Sequence, residues 1–201
     1  MKKACILTAG LLLVSAATAF ASPQTDIEKG KTSVDIGAFN SKTALGGYDL
    51  DTKTTLDAGI TTGISNKIAL QYKYHNLKAE ANDVQMQELN ALYKLTPNTD
   101  AFVGVNRFSG NLTGDDYNSK NKLQVGITTT VPLGTSLNAW GTVAAGDDLV
   151  NCELGISHPL TENADLNVYY RYTKEDNATF KSGGALDFEN NGFGLGVTLK
   201  F

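Results

Sequence analysis

The sequence predicts an all-β chain: a single up-and-down antiparallel transmembrane β-barrel of about ten strands, preceded by a cleaved signal peptide. Three observations lead there. Apolar and polar residues alternate at period two through ten segments, and no stretch carries the 3.6-residue period of a helix. The connections fall alternately into tight turns and longer or acidic loops, the asymmetry of barrels that cross a membrane. The chain also ends on an amphipathic strand. Its Phe193, Leu195, Val197, Leu199 and Phe201 share one face, with Gly192, Gly194, Gly196, Thr198 and Lys200 on the other.

Taken in order, Met1-Lys2-Lys3 is a basic start, residues 4–15 are apolar, and Ala19-Phe20-Ala21 is a small-x-small cleavage site. Residues 1–21 therefore read as a secretory signal cut after Ala21, leaving 22–201 as one barrel domain. Cys5 precedes the apolar run, the wrong place for a lipidated cysteine. Residues 22–30 are a polar lead-in, expected to be mobile. The predicted strands are 32–42, 54–65, 67–78, 84–96, 100–108, 122–132, 136–145, 149–158, 165–173 and 188–201, each about long enough to cross a bilayer when tilted.

The even-numbered connections are tight (Ser65-Asn66-Lys67, Pro97-Asn98-Thr99, Leu133-Gly134-Thr135, Thr161 to Ala164). The first, third and ninth (43–53, 109–121, 174–187) are long and rich in Gly, Asp, Asn and Ser. The fifth and seventh (80–83, 146–148) are short and acidic. Pro97, Pro132 and Pro159 sit at or beside tight turns, where a residue without an N–H belongs. An even strand count brings both termini to the tight-turn side.

The alternation is clearest in four strands. Leu56, Ala58, Ile60 and Ile64 oppose Asp57, Gly59, Thr61 and Gly63; Ile68, Leu70, Tyr72 and Tyr74 oppose Ala69, Gln71, Lys73 and His75. Leu123, Val125 and Ile127 oppose Gln124, Gly126 and Thr128, and Leu166, Val168, Tyr170 and Tyr172 oppose Asn167, Tyr169, Arg171 and Thr173. A soluble sandwich alternates too, with its apolar face inside. The aromatics favour the barrel. Tyr72, Tyr74, Tyr170, Tyr172 and Phe193 gather toward the long-loop end and Tyr93 and Phe201 toward the other, like interfacial girdles. The fit is poorest at 100–108, where Phe102, Asn106 and Phe108 share a face and Arg107 joins Ala101, Val103 and Val105, an arrangement that a bulge or a loop position for Arg107 would resolve.

Charge and cysteine content exclude other classes. Of 17 basic residues the signal removes Lys2 and Lys3, leaving 15 against 21 acids, a net charge of −6. No basic patch is present and nucleic acid is not an expected partner. Only Cys152 remains after the signal, so no intrachain disulfide can form. It shares a face with Val150, Leu154 and Ile156.

On the polar face, centring the turns pairs Asp57 with His75, His75 with Glu88, and Glu153 with Arg171, with Lys73 diagonal to the first row. An acid–His–acid row has the donor types for a divalent cation or an activated water. The simpler role is mutual neutralisation of buried charge. No nucleophile accompanies the row. Ser157 and His158 point to opposite faces, and Trp140 shares the polar face with Asn138 and Thr142. No catalytic, cofactor or metal residues are assigned, and no enzyme activity is expected.

The strand rhythm together with the terminal Gly196, Leu199 and Phe201 resembles the small, porin-like outer-membrane β-barrel proteins of diderm bacteria. The resemblance implies a location in the cell outer membrane with both termini periplasmic. It also implies outer-membrane lipid as surroundings and delivery to the barrel-assembly machinery through the C-terminal strand. A barrel of this size is near the closed end of the range, so the expected function is a structural or surface-interaction barrel with a largely plugged polar lumen, its surface partner unnamed. The alternative is a narrow porin-like channel for ions or small solutes. An outer-membrane enzyme and a soluble periplasmic β-protein rank below both.

Overall fold

The computed structural model describes residues 27–78, 83–112 and 114–201. The expected signal peptide, 1–21, lies outside them. Ten strands close into one antiparallel barrel: β1 (Thr32–Leu45), β2 (Tyr48–Gly63), β3 (Ile68–Asn76), β4 (Gln85–Thr96), β5 (Thr99–Ser109), β8 (Asn121–Pro132), β9 (Asn138–Gly146), β10 (Leu149–Thr161), β11 (Ala164–Thr179) and β12 (Ala185–Lys200). Two short strands, β6 (Asn111–Leu112) and β7 (Asp115–Asp116), form a separate hairpin within the β5–β8 connection. Closure is made by β1 against β12, from Ser33↔Lys200 to Leu45↔Phe188. The seam is finished where Thr32 and Phe201 exchange backbone hydrogen bonds at 3.0 and 2.8 Å. Each of the ten strands thus has a ladder partner on both sides and no open edge remains, as lipid requires.

The faces sort as the period-two reading has them. Tyr72, Ile127 and Leu195 are 40, 38 and 54 % exposed, whereas Lys73 and Arg171 are 8 and 0 % exposed. The apolar face is on the outside. That distribution excludes a soluble sandwich, which would bury the first three.

Three expectations need correction. The long connections at 43–53 and 174–187 are mostly strand, with β1 and β2 joined through Gly46 and Gly47, both at positive φ. Beyond the apolar band the outer face of a strand meets solvent and turns polar, while the inner face still carries Leu45, Ala178 and Phe188 and the hydrogen-bond ladder continues. The adjacent strands β11, β12, β1 and β2 therefore make one side of the wall taller. Arg107 needs no bulge: it points outward near the end of β5, and Phe102, Asn106 and Phe108 point inward. The end of the lead-in is pinned, not loose. Ile27 is buried with Ala69, Leu92, Phe102 and Ala144 at the end of the barrel where the described chain enters, and Lys94 Nζ holds its carbonyl at 3.4 Å.

Interior side chains form layers. The Ile27 cluster lies toward the terminal end and polar residues fill the middle. At the distal end Leu45, Leu77, Val84, Met86, Phe108, Tyr117, Leu149, Ala178, Phe180 and Phe188 make a second apolar cluster. Tyr117 reaches it because the β5–β8 connection crosses to the β11–β12 hairpin, where Tyr117 bridges Phe180 and Lys181 Nζ meets Asp116 Oδ2 at 2.8 Å. Tyr117 also donates its hydroxyl to Glu175, which Lys122 Nζ meets at 2.5 Å. Burial and the adjacent Glu175 carboxylate push the Tyr117 phenol well above its ordinary range.

Candidate functional site

Alternation places a set of charged side chains on the inner face, and strand register decides which of them meet. Asp57 is level with His75 across β2–β3, and Glu153 with Arg171 across β10–β11, as the tight turns predict. The β3–β4 register differs from expectation by two residues: Glu88 is level with Lys73, and His75 with Met86. Leu77 N–H donates to Val84 C=O at 2.9 Å, which seats both apolar side chains in the distal cluster and fixes that register. A shift of two preserves the face, so His75 Nε2 still lies 3.2 Å from Glu88 Oε1.

Arg171 is the hub. Its Nη1 donates to Asp57 Oδ2 at 2.5 Å and to His75 Nδ1 at 2.5 Å, and lies 4.0 Å from Glu153 Oε1. Its guanidinium carbon sits 3.9 Å from the centre of the Phe39 ring, a cation–π contact shielded from water. Phe39 stacks on Tyr169 at 5.9 Å, Tyr169 leans on Trp140 at 6.0 Å, and the Tyr169 hydroxyl donates to Asp57 Oδ2 at 3.2 Å. Across the interior, Lys73 Nζ meets Glu153 Oε2 at 3.0 Å. Glu88 accepts from Gln124 at 2.7 Å, Asn90 at 3.3 Å and Asn151 at 3.4 Å.

This arrangement pairs charge; it does not leave a base exposed. Arg171 donates to the imidazole nitrogen that a general base would use, and Asp57 is held by Arg171 and Tyr169 together. The Asp57, His75 and Glu88 row therefore takes its positive charge from the protein. Elsewhere, His158 Nδ1 contacts the Ser136 carbonyl at 2.7 Å at a tight turn, far from His75 in the chain and on the outer face.

The large interior aromatics stand over glycines of the neighbouring strand: Trp140 over Gly155, Tyr169 over Gly194 and Phe102 over Gly126. A Cβ on Gly155 would lie 2.5 Å from Trp140 Cε2. The Gly155→Ala substitution is accordingly expected to overpack the lumen by about 1–3 kcal/mol, read as a lowered urea midpoint in detergent micelles with Trp140 emission as the probe.

The model of the outer membrane protein beta-barrel domain family matches residues 7–201. The chain belongs to that family. The outer membrane protease OmpT of Escherichia coli is similar with a TM-score of 0.51 at 11 % identity, over 93 % of this chain and 100 % of that one. Neisserial surface protein A gives 0.46 at 19 % identity, over 86 % and 100 %. The attachment invasion locus protein Ail of Yersinia pestis gives 0.39 at 13 %, over 86 % and 99 %. At such identities the likeness concerns the fold. No curated protein sequence matches the chain.

In this outer-membrane barrel, sequence reasoning missed Phe39, Tyr169 as a bridge to Asp57, and the Tyr117–Glu175–Lys122 group. For the first two a signal was present. Phe39 alternates in phase with Asp35, Gly37 and Ser41, and Tyr169 lies opposite Gly194 in any register that pairs Arg171 with Gly192. For Tyr117, on a connection, none was. Gly196 and Leu199 are in the closing strand and Phe201 directly follows it, Leu199 and Phe201 exposed and Gly196 inward beside Gly37.

Proposed function

We propose that this outer-membrane barrel has a closed lumen and serves a structural or surface-interaction role. One observation carries the reading: Lys73 and Glu153 form an ion pair at 3.0 Å although β3 and β10 stand five strands apart in either direction around the wall. A bond across the diameter, backed by Arg171 and framed by apolar clusters toward each end, leaves no aqueous path of the kind that large barrels keep. The tight turns and both termini face the periplasm, and the tall wall of β1, β2, β11 and β12 faces outward, where it presents its hairpins to partners. Signal cleavage after Ala21 and recognition of Leu199 and Phe201 by the barrel-assembly machinery complete the assignment. No catalytic role is assigned, because His75 is committed to Arg171 and Glu88.

Planar-bilayer recording of the refolded protein tests this. The wild type is expected to give no steady single-channel steps under an applied voltage. Steady steps of constant size would establish the narrow channel for ions or small solutes in its place.

A further inference from the structure

We propose that the outer wall of the barrel binds a lipid phosphomonoester at the headgroup level of its distal end, with Arg107 and Lys120 as the cations that hold it. Strand register builds the site. Tyr74, Gln87, Arg107 and Asn121 are level with one another across β3, β4, β5 and β8, on the outward phase of each strand. The next outward row toward the terminal end is Tyr72, Leu89, Val105 and Leu123. The polar row therefore marks the upper edge of the apolar band. Asn121 is four residues from Val125, which at about 3.3 Å per residue and a tilt of roughly 40° is about 10 Å above the middle of a band about 25 Å tall. Arg107 is exposed there, and its long side chain carries the guanidinium up among the headgroups.

Two independent observations point to an anion. Among the described residues Arg107 and Lys120 meet no carboxylate, although the charges around them are taken: Lys78 pairs with Asp83, Lys122 with Glu175 and Asp116 with Lys181, and Asp115 accepts from Ser182. Lys120 is exposed and directly precedes Asn121, the partner of Arg107. Their Cα atoms are thus at most about 9 Å apart, and both side chains reach one phosphate. The second observation is the Tyr72 hydroxyl, which donates to Gln87 Oε1 at 3.3 Å. The amide oxygen is occupied, which leaves the Gln87 amide N–H groups as donors next to Arg107. Two cations and a neutral donor match a doubly charged anion. A phosphomonoester approaches that charge, a phosphodiester carries only one, and a guanidinium can hold two phosphate oxygens at once. Below the row Leu89, Leu123 and Val125 are 52, 64 and 61 % exposed. They receive the acyl chains, so the occupant is a lipid and not free phosphate. The opposite side of the barrel offers no such edge. There, five strands away, the wall continues upward and its cations are paired, Lys42 with Asp49 and Lys174 with Asp176.

The full chain, refolded in neutral detergent micelles, is titrated at about pH 8 with dioleoyl phosphatidic acid, phosphatidylglycerol or phosphatidylcholine, and the adducts are counted by native mass spectrometry. The three lipids share their acyl chains and differ in headgroup alone. One saturable adduct with phosphatidic acid is expected, at least tenfold tighter than with phosphatidylglycerol, and phosphatidylcholine is expected to be weaker still. Arg107→Gln is expected to weaken the adduct at least tenfold, and Lys120→Gln to bring the monoester level with the diester. Lys67→Gln, at an exposed lysine of the tight-turn end, is expected to change nothing. Each variant is checked for heat-modifiable migration; should Arg107→Gln not fold, Lys120→Gln decides alone. Equal binding of the three lipids would overturn the site, and so would undiminished binding in the folded variants or an equal loss in Lys67→Gln. Displacement by millimolar inorganic phosphate would overturn the lipid as occupant. Micelles impose no sidedness, so the result is independent of which end of the barrel faces outward and of whether the lumen conducts.

Discussion

Arg171→Ala is expected to cost about 3–5 kcal/mol of stability, because it strands carboxylates in an interior built around its charge. Asp57 would lose a contact of 2.5 Å and Glu153 its second cation, and the face of Phe39 would lose the guanidinium at 3.9 Å. The measurement is reversible urea unfolding of the refolded barrel in micelles or vesicles. Arg171→Lys keeps the charge but not the planar fork and is expected to recover only part of the loss. The double variant Arg171→Met with Asp57→Asn removes charge from both sides of the contact. It is expected to be more stable than Arg171→Ala, since much of the penalty is the unpaired acid and not the lost attraction. A loss below about 0.5 kcal/mol for Arg171→Ala, the range of surface substitutions, would show that the network is solvated and the lumen open.

How far this network could be read in advance follows from what sets each contact. Turn length sets register, so the three-residue turn at 65–67 gave Asp57 opposite His75 directly. The connection near 80 left the β3–β4 register free by two, and burial of Leu77 and Val84 decided it. Contacts between neighbouring strands were therefore within reach. Contacts across the barrel were not: Lys73 meets Glu153 only because ten strands close with a particular stagger, and local alternation carries no information about stagger. The same limit hid the Arg171 contact with Phe39 and the crossing of Tyr117 to Phe180. In the tall part of the wall, 43–45, 48–53, 174–179 and 185–187 are strand although polar composition suggests loop. Composition reports the solvent outside, and the ladder is held by backbone together with the inward Leu45, Ala178 and Phe188.

Val125→Arg is expected to cost about 2–4 kcal/mol, the penalty for a guanidinium on the lipid face near the bilayer midplane. Val125 lies in the middle of β8, 61 % exposed, level with Val103 on β5 and Ala145 on β9. Its neighbour Gln124 faces inward and binds Glu88 at 2.7 Å. In a water-soluble protein an exposed valine accepts arginine within about 0.5 kcal/mol, so the solvent outside the wall fixes the size of the effect. Unfolding of the variant in lipid vesicles separates the two cases. Depth supplies an internal control: Leu123→Arg, on the same face but two residues nearer the distal rim, is expected to cost less, because the penalty falls toward the interface. Equal costs at 123 and 125 would mean that packing, not hydrocarbon, resists the charge. A graded cost would follow from a wall whose greasy side touches acyl chains and whose charges are turned inward onto Arg171.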